Sequence, residues 1–253
     1  MRPEHPVALI TGASWGIGEA TAKLLAESGF YLLLGARTVE KVTALAEELQ
    51  SKHGIKAIGT ALDVRDPESV NAFVELAKSE FGAVHVLVNN AGLAKGTACL
   101  EDATDDQWEQ MISTNINGVL YMTRACIPLI KAAGWGHIFF LGSVAGHGVY
   151  KGGSVYCGTK YFVRAVSETL RFELLGEPIR VTSVDPGMVE TQFSVVRLDS
   201  KEKADAVYRG MQPLVAEDIA ECIRWAVDLP DHVNIDQIII RPRDQAGFQK
   251  VQR

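Results

Sequence analysis

Continuously apolar runs alternate with segments of helical periodicity along almost the whole chain. The apolar runs cover residues 6–11, 30–35, 55–62, 84–88, 136–141, 179–184 and 235–240. The helical segments cover residues 16–28, 39–53, 67–81, 105–133, 155–175 and 216–227. Strands that are apolar on both faces and separated by helices are typical of a parallel sheet covered on both sides. Right-handed crossovers then predict an α/β fold with a doubly wound, seven-stranded parallel sheet.

The chain length suits this sheet as one domain. A chain of 253 residues could form one large α/β domain or two small ones. No linker, internal repeat or low-complexity segment divides it, so we expect a single domain over residues 1–253. Residues 187–215 are charged and show no clear periodicity, and an irregular insertion of this kind in a compact domain is often a lid over the substrate.

Charge and cysteine usage exclude several classes of partner. The net charge is −6 and no basic block is present, which argues against nucleic acid or an anionic membrane as a partner. The first apolar run is too short to span a bilayer and does not resemble a signal peptide, so we expect a cytoplasmic protein. The four cysteines are widely spaced without a CxxC pair, which predicts reduced thiols. The histidines lack metal-ligand spacing, and we expect no catalytic metal.

A glycine-rich loop follows the first strand. In TGASWGIG, residues 11–18, Gly12, Gly16 and Gly18 allow a tight turn and close approach of a ligand, and the following helix N-terminus favours a phosphate. Ser14, Trp15 and Ile17 belong to the same predicted site. The loop lacks the Lys-Ser/Thr ending of a P-loop, which disfavours nucleotide hydrolysis. The alternative is a glycine turn that serves packing alone.

The end of the second strand predicts which dinucleotide binds. In a dinucleotide-binding fold this position meets the adenosine ribose. The sequence there contains Arg37 and Thr38 and no acidic residue. A guanidinium suits a 2′-phosphate, so we expect NADP(H) rather than NAD(H). The alternative is that Arg37 is a solvent-exposed arginine at a helix start.

Further polar and glycine-containing segments follow the other strands. Ligands of such sheets bind outside the carboxyl ends of the strands. The residues predicted at this edge are Asp63, Val64, Asn89, Ala91, Gly92, Ser143, Pro186 and Gly187. We expect Asp63 and Val64 near the adenine and Gly187 beside the nicotinamide.

Together these motifs resemble the short-chain dehydrogenase/reductase family over essentially the whole chain. The matching segments are the glycine loop, Asn89-NAG-Gly92, Asn115, Ser143, Tyr156-CGTK-Lys160 and Pro186-Gly187. The resemblance implies a single Rossmann-type domain, assembly into a dimer or tetramer, and a catalytic tetrad of Asn115, Ser143, Tyr156 and Lys160. It also implies cofactor contacts at Tyr156, Lys160, Val189 and Thr191. Thr191 could instead be a helix N-cap.

The Tyr156/Lys160 pair has a physical rationale. Positions i and i+4 lie on one face of a helix. A free phenol titrates near pH 10, and we expect a neighbouring ammonium, together with an oxidised nicotinamide ring, to lower its pKa. The phenol would exchange a proton with the substrate oxygen, Ser143 would orient that oxygen, and Lys160 would also bind the nicotinamide ribose. Asn115 would hold a water that relays protons to Lys160.

Within the family, four segments resemble NADP-dependent 3-hydroxy acid dehydrogenases, including those that oxidise serine. They are residues 90–96, 118–124, 189–197 and 232–242. Residues 240–245 also resemble clavulanic-acid-type aldehyde reductases. A 3-hydroxy acid needs a cation for its carboxylate, and Lys151 and Arg197 are the candidates, although either could be a solvated loop charge. His147 could tune the pocket or serve only structure.

The main prediction is an oxidoreductase that acts on a small 3-hydroxy acid, and three alternative functions are also compatible with the sequence. They are a general aldehyde or ketone reductase, a non-catalytic dinucleotide sensor, and a nucleotide-sugar epimerase with the same YxxxK pair. The epimerase would need a larger sugar domain, and the sensor would not need the intact tetrad. Apolar residues of the long helices, Met111, Leu120, Met122, Phe162 and Leu170, could form an oligomer interface or belong to the core.

Overall fold

The computed structural model describes residues 2–247 and 250–253. The strands are β1 (Val7–Thr11), β2 (Tyr31–Ala36), β3 (Ala57–Ala61), β4 (Val86–Asn89), β5 (Gly136–Leu141), β6 (Ile179–Pro186) and β7 (Gln237–Ile240). The helices are α1 (Gly16–Glu27), α2 (Val39–His53), α3 (Pro67–Phe81), α4 (Asp105–Ile112), α5 (Val119–Ala133), α6 (Ser154–Glu173), α7 (Gln192–Leu198), α8 (Lys201–Tyr208) and α9 (Ala216–Asp228). Every predicted strand is present, and its bounds differ from the prediction by at most two residues.

The strands form one parallel sheet in the order β3-β2-β1-β4-β5-β6-β7. The order reverses between β1 and β4, so that successive crossovers place helices on opposite faces. Helices α1, α2 and α9 cover one face, and α3, α5 and α6 cover the other. The predicted fold class is confirmed, and central strands such as β1 and β5 are fully buried because both faces of the sheet are covered there.

The helix predicted over residues 105–133 is interrupted. Between α4 and α5 lies a π-helical segment, Ser113–Gly118, which contains Asn115. Gly118 packs so tightly that a Cβ there would lie 2.6 Å from Val64 Cγ2. Apolar periodicity does not distinguish a π-turn from an α-turn over so short a stretch, and such turns are frequent at functional sites.

The irregular conformation predicted for residues 187–215 is wrong for much of that stretch. It contains α7 and α8, whose N-termini are capped by Thr191 and Ser200. The Thr191 hydroxyl accepts from the Phe193 N–H at 3.2 Å, and the Ser200 hydroxyl accepts from the Lys203 N–H at 3.2 Å. Helices of seven or eight residues span only two turns, which is too short for periodicity to reveal them.

None of the helices in the described part of the chain combines the length and apolar character needed to cross a membrane.

Candidate active site

A cleft of about 820 Å³ runs along the carboxyl edge of the sheet. It is bounded by the loops that follow β1 to β6 and is covered on one side by α7 and α8. The cleft spans the point where the strand order reverses, which is where open α/β sheets bind their ligands.

Most of the residues predicted to bind a cofactor line this cleft. They are Gly12, Ser14, Trp15, Gly16, Ile17, Arg37, Thr38, Asp63, Val64, Ala91, Gly92, Tyr156, Lys160, Pro186, Gly187, Val189 and Thr191, and Ser143 lies with them. The predicted residues Gly18, Asn89 and Asn115 lie behind this lining. Gly18 packs on Asn90 Nδ2 and Gly12 O, and Asn89 donates to the Thr123 hydroxyl at 3.0 Å.

The glycine loop is held in an unusual backbone conformation. Gly12 has φ +66° and Gly16 has φ +54°, which L side chains rarely adopt. Asn90, which belongs to the predicted Asn89-NAG-Gly92 motif but was not predicted as a site residue, holds the loop by donating from Nδ2 to Thr11 O at 2.8 Å and Gly12 O at 3.0 Å. A Cβ on Gly16 would lie 3.2 Å from Thr191 Cβ, so the loop and the start of α7 meet closely across the cleft. Thr191 is therefore both a helix cap and part of the cleft wall.

The end of the cleft beyond β2 and β3 carries a mixed set of charges. Arg37 is exposed and faces the cleft. Asp63 accepts from Arg65 Nε at 2.9 Å, and this hydrogen bond holds the pKa of the Asp63 carboxyl below its usual value. Arg65 also lines the cleft and was not predicted, because it follows the strand end by several residues.

Lys160 is a buried cation on α6, with 7% of its surface exposed. Its ammonium donates to the Leu141 carbonyl, at the end of β5, at 2.7 Å. Burial lowers the pKa of Lys160 to about 8, and the charge of Asp185 opposes this shift.

Tyr156 lies one helical turn before Lys160 and lines the cleft together with Ser143. The Lys160 ammonium lies 5.9 Å from the centroid of the Tyr156 ring. Burial raises the pKa of the Tyr156 phenol above its usual value, and the interaction with Ser143 lowers it by less. This direction is opposite to the one expected from the neighbouring ammonium, because desolvation disfavours the phenolate more than the chain's own groups stabilise it.

Asn115 lies in the π-helical segment, and its side-chain amide forms three hydrogen bonds within the protein. Its Oδ1 accepts from the Leu93 N–H at 2.9 Å, and its Nδ2 donates to Leu93 O at 2.8 Å and to the Thr159 hydroxyl at 3.1 Å. The side chain therefore fixes the loop after β4 against α6. The proton-relaying water assigned to Asn115 stays a prediction.

The far end of the cleft, near Tyr156, carries a cation. Arg197 of α7 donates from Nη2 to the Tyr150 hydroxyl at 2.9 Å and from Nε to Gly96 O at 3.3 Å. Its Cζ lies 5.9 Å from the centroid of the Tyr156 ring. Lys151 lines the cleft as well but is exposed, whereas His147 lies behind the cleft wall against Asp185. Sequence reasoning missed Tyr150, whose position depends on the loop before α6.

Comparisons with known proteins agree on one family. The sequence model of the family described as short chain dehydrogenase matches residues 6–202. The chain is 43% identical over 247 residues to an NADP-dependent 3-hydroxy acid dehydrogenase of Schizosaccharomyces pombe, covering 97% of this chain and 95% of that one. It is 42% identical over 242 residues to sulfoacetaldehyde reductase 2 of Chromohalobacter salexigens, covering 95% of each chain. Among solved structures it resembles the closed form of a serine dehydrogenase complexed with NADP+, with a TM-score of 0.89, 37% identity and coverage of 98% and 99%.

Proposed function

The chain belongs to the short-chain dehydrogenase family, and on that premise we propose that it is an NADP(H)-dependent oxidoreductase. It interconverts an alcohol and a carbonyl group, and its substrate is a small 3-hydroxy acid. The observation that carries this proposal is that Tyr156, Ser143 and Lys160 line one cleft together with the glycine loop and Arg37.

The residues of the cleft fit a dinucleotide that carries a 2′-phosphate. The positive-φ glycines bring main chain close to the ligand at the start of α1, where helix N–H groups favour phosphate. Ser14, Arg37 and Thr38 would hold the adenosine end, since a guanidinium pairs well with a phosphate. Lys160 would hold the nicotinamide ribose. The bound nicotinamide supplies or accepts the hydride.

The chain's own groups are set for proton donation in the reductive direction. Burial keeps the Tyr156 phenol protonated at neutral pH, so that it can give its proton to a substrate oxygen. Ser143 would hold that oxygen in place through its hydroxyl. Lys160, cationic below about pH 8, stabilises the phenolate that remains after the transfer.

Arg197 would bind the acidic group of the substrate. Its guanidinium is fixed by Tyr150 and Gly96 and lies on the same side of the cleft as the Tyr156 ring. The similar proteins named above act on a 3-hydroxy acid, on serine and on sulfoacetaldehyde. A fixed guanidinium suits either a carboxylate or a sulfonate. A general aldehyde reductase would not need it.

The test of the activity is Tyr156→Phe assayed with NADPH and a panel of carbonyl compounds. We expect turnover to fall by about 10³-fold or more, because the proton donor is removed. NADPH binding, followed by cofactor fluorescence, should change little. A wild-type protein that binds NADPH without reducing any compound would instead be a dinucleotide sensor.

The test of the substrate class is Arg197→Leu assayed with a 3-oxo acid and with its neutral methyl ester. We expect kcat/KM for the acid to fall about tenfold or more, because a charge-assisted hydrogen bond is lost. The value for the ester should stay close to that of the wild type. Lys151→Met, at the exposed cation of the same cleft, is the matched control and should alter the two substrates alike. Equal losses for acid and ester in Arg197→Leu would favour the general reductase.

Oligomerisation is part of the proposal. Met111, Met122 and Leu170, which the sequence offered for core or interface, are buried in the core, whereas Leu120 on α5 is 41% exposed. Phe172 and Leu175, at the end of α6, are exposed as well. These apolar side chains support a homo-oligomer, which light scattering of the purified protein would test, and a monomer at micromolar concentration would contradict it.

A further inference from the structure

Asp185, at the end of β6, is a fully buried carboxylate with three hydrogen-bond donors around it. The Ser183 hydroxyl donates to Oδ1 at 2.7 Å, Gln237 Nε2 donates to Oδ2 at 2.6 Å, and His147 Nε2 lies 2.7 Å from Oδ2. Its side chain is only 1% exposed. These partners replace the hydrogen bonds to water that a buried carboxylate loses.

This carboxylate lies directly behind the site that holds Lys160. Leu141 accepts from the Lys160 ammonium, and the next residue, Gly142, packs against Asp185. A Cβ on Gly142 would collide with Asp185 Oδ1. The main chain of Gly142 therefore lies between the Asp185 carboxylate and Leu141, whose carbonyl accepts from Lys160.

We propose that Asp185 is a positioning residue whose buried carboxylate keeps the Lys160 ammonium charged against the Leu141 carbonyl. This inference rests on the proposed oxidoreductase function, in which Lys160 acts as a cation. It assigns a role to the network of Asp185, Ser183, Gln237 and His147, none of which is among the residues that line the cleft in the described part of the chain.

His147 connects Asp185 to the neighbouring elements. Its Nε2 lies 2.7 Å from Asp185 Oδ2 and 3.2 Å from Gln237 Nε2, and its Nδ1 lies 3.4 Å from Arg164 Nη1. Arg164 is itself paired with Glu168 at 2.9 Å.

Lys160 needs this support because burial disfavours its charge. Its pKa falls to about 8 through desolvation, and Asp185 is the group that opposes the fall. Three further titratable groups, the Tyr150 phenol, the Cys157 thiol and the Arg197 guanidinium, act on the pKa of Tyr156. Without Asp185 the ammonium would lose its proton closer to neutral pH.

The experiment measures the titration of Lys160 directly by NMR. In protein labelled with ¹³C-lysine, the Lys160 Cε resonance is assigned by its absence in Lys160→Met and followed from pH 6 to 11. We expect Asp185→Asn to lower the Lys160 pKa by about one pH unit, since an opposite charge nearby shifts a pKa by that order. Asp185→Ser is a second neutral variant, smaller and able to hold water, should the asparagine disturb the packing.

Ser183→Ala and Gln237→Met are the matched controls, because each removes a hydrogen bond of the network and leaves its charge unchanged. They should shift the Lys160 pKa much less than the two neutral variants do. An unchanged Lys160 pKa in either folded Asp185 variant overturns the proposal, as does an equal shift in the controls.

A second readout separates this inference from the proposed function. In the pH profile of kcat/KM for carbonyl reduction, the loss of activity at alkaline pH should move to lower pH in Asp185→Asn. Lack of any reductase activity in the wild type would contradict the proposed function but leave the NMR titration decisive for Asp185.

Discussion

Lys160 and Arg180 are buried cations at opposite edges of the same sheet, and they are held very differently. Arg180 is the second residue of β6 and donates to the main-chain carbonyls of Ala226, Val227 and Leu229 at 3.0, 2.9 and 3.2 Å. It thus neutralises the C-terminal end of α9. Within residues 2–247 and 250–253, Lys160 donates to one carbonyl, that of Leu141, on the cleft side. Main-chain carbonyls thus use the hydrogen-bond donors of Arg180, whereas the Lys160 ammonium still has donors available for a ligand.

The same difference applies to the surroundings of the two groups. Arg180 fixes the end of a helix that belongs to the core, and its Cζ lies 5.7 Å from the centroid of the buried Trp135 ring. Lys160 has beside it the Tyr156 ring, the Ser143 loop and an open cleft. Arg180, at the amino edge of the sheet, therefore serves stability, whereas Lys160, at the carboxyl edge, keeps hydrogen-bonding capacity for a ligand.

The largest expected effect is on activity at the carboxyl edge. Lys160→Met should lower kcat/KM by about 10³-fold, because the phenolate of Tyr156 loses its neighbouring charge. The free energy of unfolding at pH 7 should stay the same or rise, since a poorly solvated charge is replaced by an apolar side chain of similar length. Steady-state kinetics and urea denaturation measure the two quantities. A large loss of stability would show that Lys160 is held as Arg180 is.

The converse substitution at the amino edge should affect stability. Arg180→Met would leave the last carbonyls of α9 without their donor and lower the free energy of unfolding by about 3 kcal/mol or more. The kcat of the folded protein should remain within about twofold of the wild type, because Arg180 lies away from the cleft. Urea denaturation with parallel activity measurements tests this, and unchanged stability would remove the distinction between the two cations.

The pH dependence of stability should show the cost of the Lys160 charge. The fall of its pKa from 10.5 to about 8 corresponds to a destabilisation of about 3 kcal/mol that is fully present below pH 8. Because the unfolded chain binds the proton more tightly, this cost is relieved as the pH rises from about 8 to 10.5. The difference in unfolding free energy between Lys160→Met and the wild type should therefore shrink over that range. A constant difference would mean that Lys160 keeps an ordinary pKa.

The smallest expected effect concerns Arg37, an exposed cation that can be compared with the two buried cations Lys160 and Arg180. Arg37→Asp should raise the KM for NADPH about tenfold or more and favour NADH, because a charge-assisted bond to phosphate is replaced by repulsion. Stability should change by less than about 0.5 kcal/mol, as expected for an exposed side chain. Kinetics with both cofactors test it. A wild type that uses both cofactors equally well would show that Arg37 does not select between them.

The sequence predicts the sheet, and most of the cleft wall, because both depend on local patterns. Apolar runs define the strands, and motifs placed after them, such as Gly12 to Gly18 and Ser143, must meet at one edge of a parallel sheet. Arg37 is found in the same way. These inferences need only the order of the elements along the chain.

The remaining parts depend on register and loop geometry, which local patterns do not contain. Sequence analysis identified no partner for His147, because its contacts with Asp185 and Gln237 require β5, β6 and β7 to align side by side. The pKa of Tyr156 was expected to fall, since the pair spacing shows the nearby cation but not the depth of burial.

The π-helical segment Ser113–Gly118 joins α4 to α5. Because of this segment, the number of residues between the two helices is constrained, and not only the choice of side chains. The wider turn accommodates one residue more than an α-helical turn would, and the helix on either side keeps its register. Deleting a single residue there would turn the segment into regular α-helix, leave the fully buried Met122 in place and remove the wider turn that carries Asn115. Sequence alignments and redesigned variants of this protein must therefore preserve the spacing between Trp108 and Met122, even where the side chains between them are exchanged.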